Sequence, residues 1–222
     1  MKDAPLLIYG AGGFARETAW LAEICQDHCG GFEPVAYIDD NLNGDRLMLN
    51  GLPIRTLHDA VERYPGASFV AAIGSPKARQ AVTEKAMRQG LRAANLIHPG
   101  VALSRHVLIG EGTVICAGTH ITTNIVLGRG VQINLDCTIG HDAILNDYVT
   151  LAPGVHVSGN VHLGKRVYVG TGAVIINGSA DSPLAIGDDS VIGAGACVTK
   201  SLGAGLTAVG VPARAIGKTV AA

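Results

Sequence analysis

Aromatic side chains are scarce in this sequence, at 4%, and no apolar run approaches the ~20 residues that a membrane-spanning helix needs. The apolar stretch Pro5–Tyr9 is far too short for the core of a secretory signal. Charge of either sign is not in excess: 17 Lys and Arg face 18 Asp and Glu, a net charge of −1. No global field therefore gathers nucleic acid or an anionic membrane, and an anionic ligand must be held locally by backbone amides and a few basic side chains. The five cysteines, Cys25, Cys29, Cys116, Cys137 and Cys197, form no CxxC pair and no Cys/His cluster with zinc spacing. That pattern reads as reduced thiols in a cytoplasmic protein with no metal site.

Glycine, by contrast, is abundant, with 30 residues, beside a hydrophobic content of 48%. Many glycines among many Val, Ile and Leu point to short strands separated by tight turns. The chain divides into two grammars. Residues 1–98 alternate apolar strands with helical segments: strands at Leu6–Tyr9, Val35–Ile38 and Phe69–Ile73, helices at about Phe14–Gln26, Leu57–Arg63 and Lys77–Gln89, the last stopped by Gly90. This predicts a small Rossmann-like α/β domain with a parallel sheet.

From Val101 the period becomes six. An aliphatic residue recurs at Leu103, Ile109, Ile115 and every sixth position to Ile175, thirteen in succession, then resumes at Ile186, Ile192 and Val198 after a five-residue excess in Asn177–Ala185. Four residues after most of them stands a small or β-branched residue, as at Val107, Thr113, Cys137 and Ala143. A period of six is neither the 3.6 of a helix nor the 2 of a flat strand. It is one short strand plus a turn; three such units close a triangular coil, and coils stack at the strand spacing of ~4.8 Å. Residues 99–222 are therefore expected to form a left-handed parallel β-helix of about five coils, roughly 24 Å long, with a C-terminal tail. Cys137, at the small inward position, is assigned no chemistry.

The repeat resembles the hexapeptide-repeat acyltransferases, most of which use acetyl-CoA, and the ending Val209-Gly210-Val211-Pro212-Ala213-Arg214 resembles a C-terminal segment common among them. The head, with Tyr9-Gly10-Ala11-Gly12-Gly13 and Ile38-Asp39-Asp40, narrows the likeness. The whole is similar to bacterial acetyltransferases of polysaccharide biosynthesis that modify UDP- or GDP-linked 4-amino sugars, perosamine N-acetyltransferases among them, a family that also includes proteins linked to sialic acid O-acetylation. The resemblance implies an acetyl-CoA-dependent sugar N-acetyltransferase that works as a homotrimer, with a nucleotide-linked amino sugar and acetyl-CoA as its small-molecule partners.

Gly10-Ala11-Gly12-Gly13-Phe14-Ala15 follows a strand and opens a helix, the pattern in which glycines let a helix N-terminus approach a phosphate. A plain tight turn has the same look, and a nicotinamide site would want an acidic residue ~20 positions on, earlier than Asp39. By the resemblance, Gly12, Gly13, Phe14, Asp39, Asp40 and Gly74 bind the nucleotide sugar. Carboxylates suit a ring N–H or a ribose hydroxyl, although Asp39-Asp40 also reads as a solvated turn.

Among the eight histidines, His120, His156 and His162 share one repeat position and are expected on the flat outer faces. His141 stands in the turn after Ile139-Gly140 and is followed by Asp142. The resemblance makes it the general base, and the chemistry fits. Acyl transfer to an amine needs a group of near-neutral pKa to take a proton, and a carboxylate beside it orients the imidazole. Some relatives carry a second histidine nine residues further on; here that residue is Thr150. Asn134 reads equally as a sugar contact and as an outward polar residue. The resemblance also gives the backbone amides of Gly159, Thr171 and Ala194 to acetyl-CoA, expected in a groove between neighbouring prisms; Lys200, Arg214 and Lys218 read as candidates for its phosphates by charge alone, and equally as ordinary surface basic residues. Rival readings are a sugar O-acetyltransferase, a non-catalytic sugar-binding scaffold and, from the glycine loop alone, a nicotinamide oxidoreductase.

Overall fold

The structure, a computed structural model, describes residues 3–41 and 48–218. The chain forms two compact units, residues 1–74 with 78–99, and 75–77 with 100–222.

The first unit is a six-stranded sheet with helices: β1 (Ala4–Tyr9), α1 (Gly13–Cys29), β2 (Phe32–Ile38), β3 (Met48–Leu49), β4 (Leu52–Arg55), α2 (Leu57–Arg63), β5 (Ser68–Ala71), α3 (Pro76–Arg88) and β6 (Arg92–Ala93). Strand order is β3-β4-β2-β1-β5-β6. Every pairing is parallel except β3 with β4, a short antiparallel edge hairpin that the apolar pattern does not announce. The parallel centre explains why Leu6–Ile8 and Phe69–Val70 are continuous apolar runs, buried on both faces. Helix α1 lies against the sheet through small residues, Ala15, Thr18, Ala19 and Ala22, with Leu21. Threonine begins α2: Thr56 caps it by accepting from Asp59 N–H.

Strand β1 lies between β2 and β5, so the chain leaves it in one direction and later returns on the other side. The carboxyl ends of β1, β2 and β5 thus open together at a topological switch point, where open α/β sheets hold ligands.

The second unit is the β-helix. One wall runs from Ala102–Leu103 through His120–Ile121, Thr138–Ile139, His156–Val157 and Val174–Ile175 to Cys197–Val198. The next runs from Val107–Ile109 through Ile125–Leu127, Ile144–Leu145 and Val161–Leu163 to Leu184–Ile186. The third contains Val114–Ile115, Gln132–Ile133, Thr150–Leu151, Tyr168–Val169, Val191–Ile192 and Leu206–Val209, with Arg214–Lys218 added antiparallel at its edge. The sixfold aliphatic position is the second residue of most two-residue strands and is at most 2% exposed from Ile115 to Val198. Leu103 breaks the rule at 39% exposure: its strand ends its wall and has a stacking neighbour on one side only. The small position is buried as well, at Thr113, Val131, Cys137 and Ala143.

Coils repeat every 18 residues, as Leu127 pairs with Leu145 and Leu145 with Leu163; Leu163 then pairs with Ile186, and the five extra residues leave the prism between these strands. At the corners the turns stack in columns of left-handed residues. Asn124, Asp142 and Asn160, one coil apart, have φ of 56°, 58° and 55°. Asn and Asp tolerate this conformation better than other side-chain-bearing residues, which is why they fill the column.

Candidate active site

At the switch point of the first unit lies a cavity of about 450 Å³, and all six head residues singled out from the sequence line it: Gly12, Gly13, Phe14, Asp39, Asp40 and Gly74. The glycines divide into two kinds. Gly10 is required by the fold: its φ is +127°, and a Cβ there would sit 2.7 Å from the Ala72 carbonyl oxygen. At Gly12 and Gly74 a Cβ would meet nothing within 4 Å, and at Gly13 only the Arg16 guanidinium at 3.8 Å. Packing within the chain does not call for glycine at these three positions, all of which line the cavity. Gly12 is the N-cap of α1 and supplies no side-chain cap, so the N-terminus of this 17-residue helix offers its amides and dipole to an anion. On the far side, the fully buried Arg79 donates to the carbonyls of Ile73, at 2.9 Å, and Gly74, at 3.3 Å, and fixes that loop.

The two aspartates differ. Asp40 is bound up within the chain: one carboxylate oxygen accepts from Leu57 N–H at 2.9 Å, the other from the Tyr9 hydroxyl and from Lys85 Nζ at 2.6 Å. Burial works against its charge, but the hydrogen bonds from Lys85, Tyr9 and Leu57 outweigh it and hold the carboxyl below its usual range. Burial, with the adjoining carboxylate, pushes the Tyr9 phenol up, so it stays a donor. Asp39 accepts from Asn41 N–H at 2.9 Å in a local turn. With three chain donors on Asp40 and this one on Asp39, Asp39 is the carboxylate better placed to receive a ligand.

In the second unit His141 and Asp142 form a corner turn. His141 Nδ1 lies 2.8 Å from Asp142 Oδ2, and the two side chains are 59% and 46% exposed. The His141 hydrogen bond holds the Asp142 carboxyl below its usual range, and a further hydrogen bond from Asn124, one coil earlier, acts in the same direction. One coil later stands Gly159, directly against the His141 ring. The corner is tied by backbone bonds, Asp142 N–H to Thr123 O at 3.1 Å and Asn160 N–H to His141 O at 2.9 Å. The Asn177–Ala185 excess starts from the same column, where Gly178 N–H donates to Gly159 O at 3.0 Å.

Thr171 and Ala194 belong to another corner, the turns after Tyr168–Val169 and Val191–Ile192, and Asn134 follows Gln132–Ile133 of that same wall. Within one prism, then, Gly159 joins His141, while Thr171, Ala194 and Asn134 do not. Thr150 lies within its strand, 2% exposed. His120 and His156 are exposed on their wall, and Thr138, between them in the ladder, lies 2.9 Å from His156 Nδ1 through Oγ1. Lys200, Arg214 and Lys218 are exposed. Cys137 is fully buried, and burial pushes its thiol up to about 11, which removes it as an acyl carrier. Among the described residues no group of three or more His, Cys, Asp or Glu is placed to hold a metal ion, and no helix is long and apolar enough to cross a membrane.

Two features escaped the sequence reading: the packing of Gly159 on His141 and the binding of Asp40 to Tyr9 and Lys85. The first had a signal, since residues 18 apart stack in this fold. The second had none, because it joins residues 31 and 45 positions apart.

A hexapeptide prism carrying a histidine–carboxylate corner, with an α/β head whose glycine loop opens a cavity, is the architecture of the left-handed β-helix class with an N-terminal α/β domain. Comparison narrows this. Residues 5–86 match the PglD N-terminal domain family. The chain is 36% identical over 209 residues to GDP-perosamine N-acetyltransferase of Escherichia coli O157:H7, covering 93% of this chain and 94% of that one. Among solved structures, WeeI from Acinetobacter baumannii AYE matches with a TM-score of 0.89 at 35% identity, over 96% of this chain and 100% of that one. PerB from Caulobacter crescentus, solved in complex with CoA and GDP-perosamine, matches with a TM-score of 0.83 at 30% identity, over 96% and 98%. The chain belongs to the family of hexapeptide-repeat sugar N-acetyltransferases that includes GDP-perosamine N-acetyltransferase.

Proposed function

We propose that the protein transfers an acetyl group from acetyl-CoA to the 4-amino group of a nucleotide-linked amino-dideoxy sugar, a GDP-linked perosamine-type sugar being the first to test. The observation that carries this reading is the orientation of His141. With Nδ1 tied to the Asp142 carboxylate, the ring proton sits on Nδ1 and the Nε2 lone pair is available as a base. The sugar amine attacks the thioester carbonyl carbon; a C–N bond forms as the C–S bond breaks. The amine proton passes to His141 Nε2 and from there to the departing CoA thiolate. Backbone amides at the Gly159, Thr171 and Ala194 turns serve the pantetheine and the oxyanion. The similarity to a structure holding CoA and GDP-perosamine supports the choice of both substrates.

In this reading residues 1–98 hold the nucleotide and residues 99–222 carry out the transfer. The helix α1 N-terminus with Gly12 and Gly13 receives a phosphate, Asp39 receives a ribose hydroxyl or a ring N–H, and Asn134 contacts the sugar. The enzyme acts as a homotrimer: His141 and the Thr171–Ala194 turns lie at different corners of one prism, and neighbouring copies bring such corners to one groove. The outward row Leu108 and Val126, 68% and 40% exposed, gives one wall an apolar strip suited to a neighbouring prism. Five cysteines, none of them in a disulfide, suit the reducing cytoplasm.

A panel of GDP-, UDP- and dTDP-linked 4-amino sugars is incubated with acetyl-CoA and protein, and free CoA thiol is followed. Release dependent on one amino sugar, with N-acetylated product, is expected. Release only with hydroxyl acceptors favours O-acetylation, and no turnover with binding of sugar alone favours the scaffold.

A further inference from the structure

We infer that Gly159 is a positioning residue for His141: the imidazole occupies the space that a side chain at position 159 would fill. The inference rests on the general-base reading of His141 and adds the device that holds the ring. A Cβ on Gly159 would lie 2.6 Å from His141 Nε2, 2.7 Å from Cε1 and 3.0 Å from Cδ2, so its three nearest neighbours all belong to the ring. This sets Gly159 apart from the glycines that let coils stack. At Gly110, Gly140 and Gly170 the nearest atoms to an added Cβ are backbone, at 2.5–2.6 Å from the next coil. Gly159 is also not among the residues of positive φ, so its backbone does not call for glycine. What glycine provides at 159 is a seat for the imidazole.

The ring is therefore held from two sides. Asp142 takes Nδ1 on one edge, and the bare Cα of Gly159 lies under the edge that carries Nε2. A methyl group at 159 must push Nε2 out on the order of 1 Å to restore ordinary contact, a displacement that costs as much as ~10² in rate at a reacting centre. The amide N–H of residue 159 survives the change to alanine, so its use by acetyl-CoA is left in place.

The test is a cycle of four proteins: parent, Gly159→Ala, His141→Ala and the double variant. Each is assayed for kcat, for both KM values and for Tm. Gly159→Ala is expected to lower kcat by ~10-fold or more, to displace the limb of the pH–rate profile that His141 governs, and to leave the KM for acetyl-CoA within about twofold. In the His141→Ala background the same change is expected to cost no further kcat, because the ring it would strike is gone. Any fall in Tm caused by Gly159→Ala should likewise disappear in the double variant. Parent-like kcat in Gly159→Ala, beside a slow His141→Ala, overturns this inference and leaves the general-base reading standing. A further multiplicative loss, or an unrelieved loss of Tm, in the double variant also overturns it, since the methyl group would then be acting on the coil or on acetyl-CoA. Parent-like kcat in His141→Ala removes the general base and this inference together.

Discussion

His141 Nδ1 and Asp142 Oδ2 stand 2.8 Å apart, between adjacent residues of which the second is held at a φ of +58°. The left-handed turn lets neighbouring side chains meet, which an extended strand, sending them to opposite faces, forbids. The prism thus builds a histidine–carboxylate pair from two consecutive residues at a corner whose stacking partners, Asn124 and Asn160, have the same backbone conformation. Asp142→Asn keeps a hydrogen-bonding group beside Nδ1 but removes its charge. It is expected to lower kcat by part of the loss seen in His141→Ala and to leave Tm unchanged, because both side chains are exposed. A Tm drop of several degrees would mean the pair braces the corner.

The cavity glycines predict a separation of binding from folding. Gly13→Val meets little within the chain and is expected to fold normally, to raise the sugar-nucleotide KM by ~10-fold or more, and to leave the acetyl-CoA KM alone. Gly10→Ala, facing the Ala72 carbonyl at a φ of +127°, is expected to unfold the head. Steady-state kinetics and circular dichroism of the two variants check this; equal KM changes for both substrates in Gly13→Val would contradict a nucleotide site at the loop.

Asp39 and Asp40 are expected to fail differently. Asp39→Asn should raise the sugar-nucleotide KM at unchanged Tm. Asp40→Asn should destabilise the head, since it weakens the contacts with Lys85, Tyr9 and Leu57. Its pH dependence has a definite sign. The folded-state pKa of Asp40 is depressed, so its contribution is present above the ordinary aspartate value of about 3.9 and is lost as pH falls through the folded-state value. Urea midpoints of parent and Asp40→Asn should differ at pH 7 and converge in acid. A gap that widens on acidification would contradict the assignment.

The core of the prism yields a prediction about stability. Ile139 is fully buried between the stacked strands of Ile121 and Val157. Ile139→Ala is expected to cost ~2–5 kcal/mol and Ile139→Val ~0.5–1.5 kcal/mol, read from chemical denaturation. A loss below the valine range for alanine would mean the coils collapse around the gap.

Much of this was legible in the sequence because the fold is periodic. Ile115, Ile139 and Val169 announce themselves by spacing alone, and the prism puts each inside. Leu57–Arg63 was readable as a helix to its ends, and the six head residues, which the family resemblance picked out, meet at one cavity because a switch point gathers the loops that carry them. Less was readable where contacts are distant and aperiodic. Nothing in Asp39-Asp40 tells which carboxylate the chain itself occupies, since Tyr9 and Lys85 arrive from other elements. The edge hairpin Met48–Leu49 with Leu52–Arg55 is too short for alternation to register. That Thr171 and Ala194 sit at a different corner from His141 follows from the modulus of the repeat, but only once the walls are assigned.

The pH–rate profile of His141→Ala against the parent, with acetyl-CoA and a nucleotide-linked 4-amino sugar, tests the central claim most directly. A general base at His141 predicts a kcat lower by ~10²–10⁴, near-parent acetyl-CoA affinity, and partial recovery at high pH, where the amine arrives deprotonated. A near-parent kcat with the same acid limb would contradict it and leave His141 only to position the sugar.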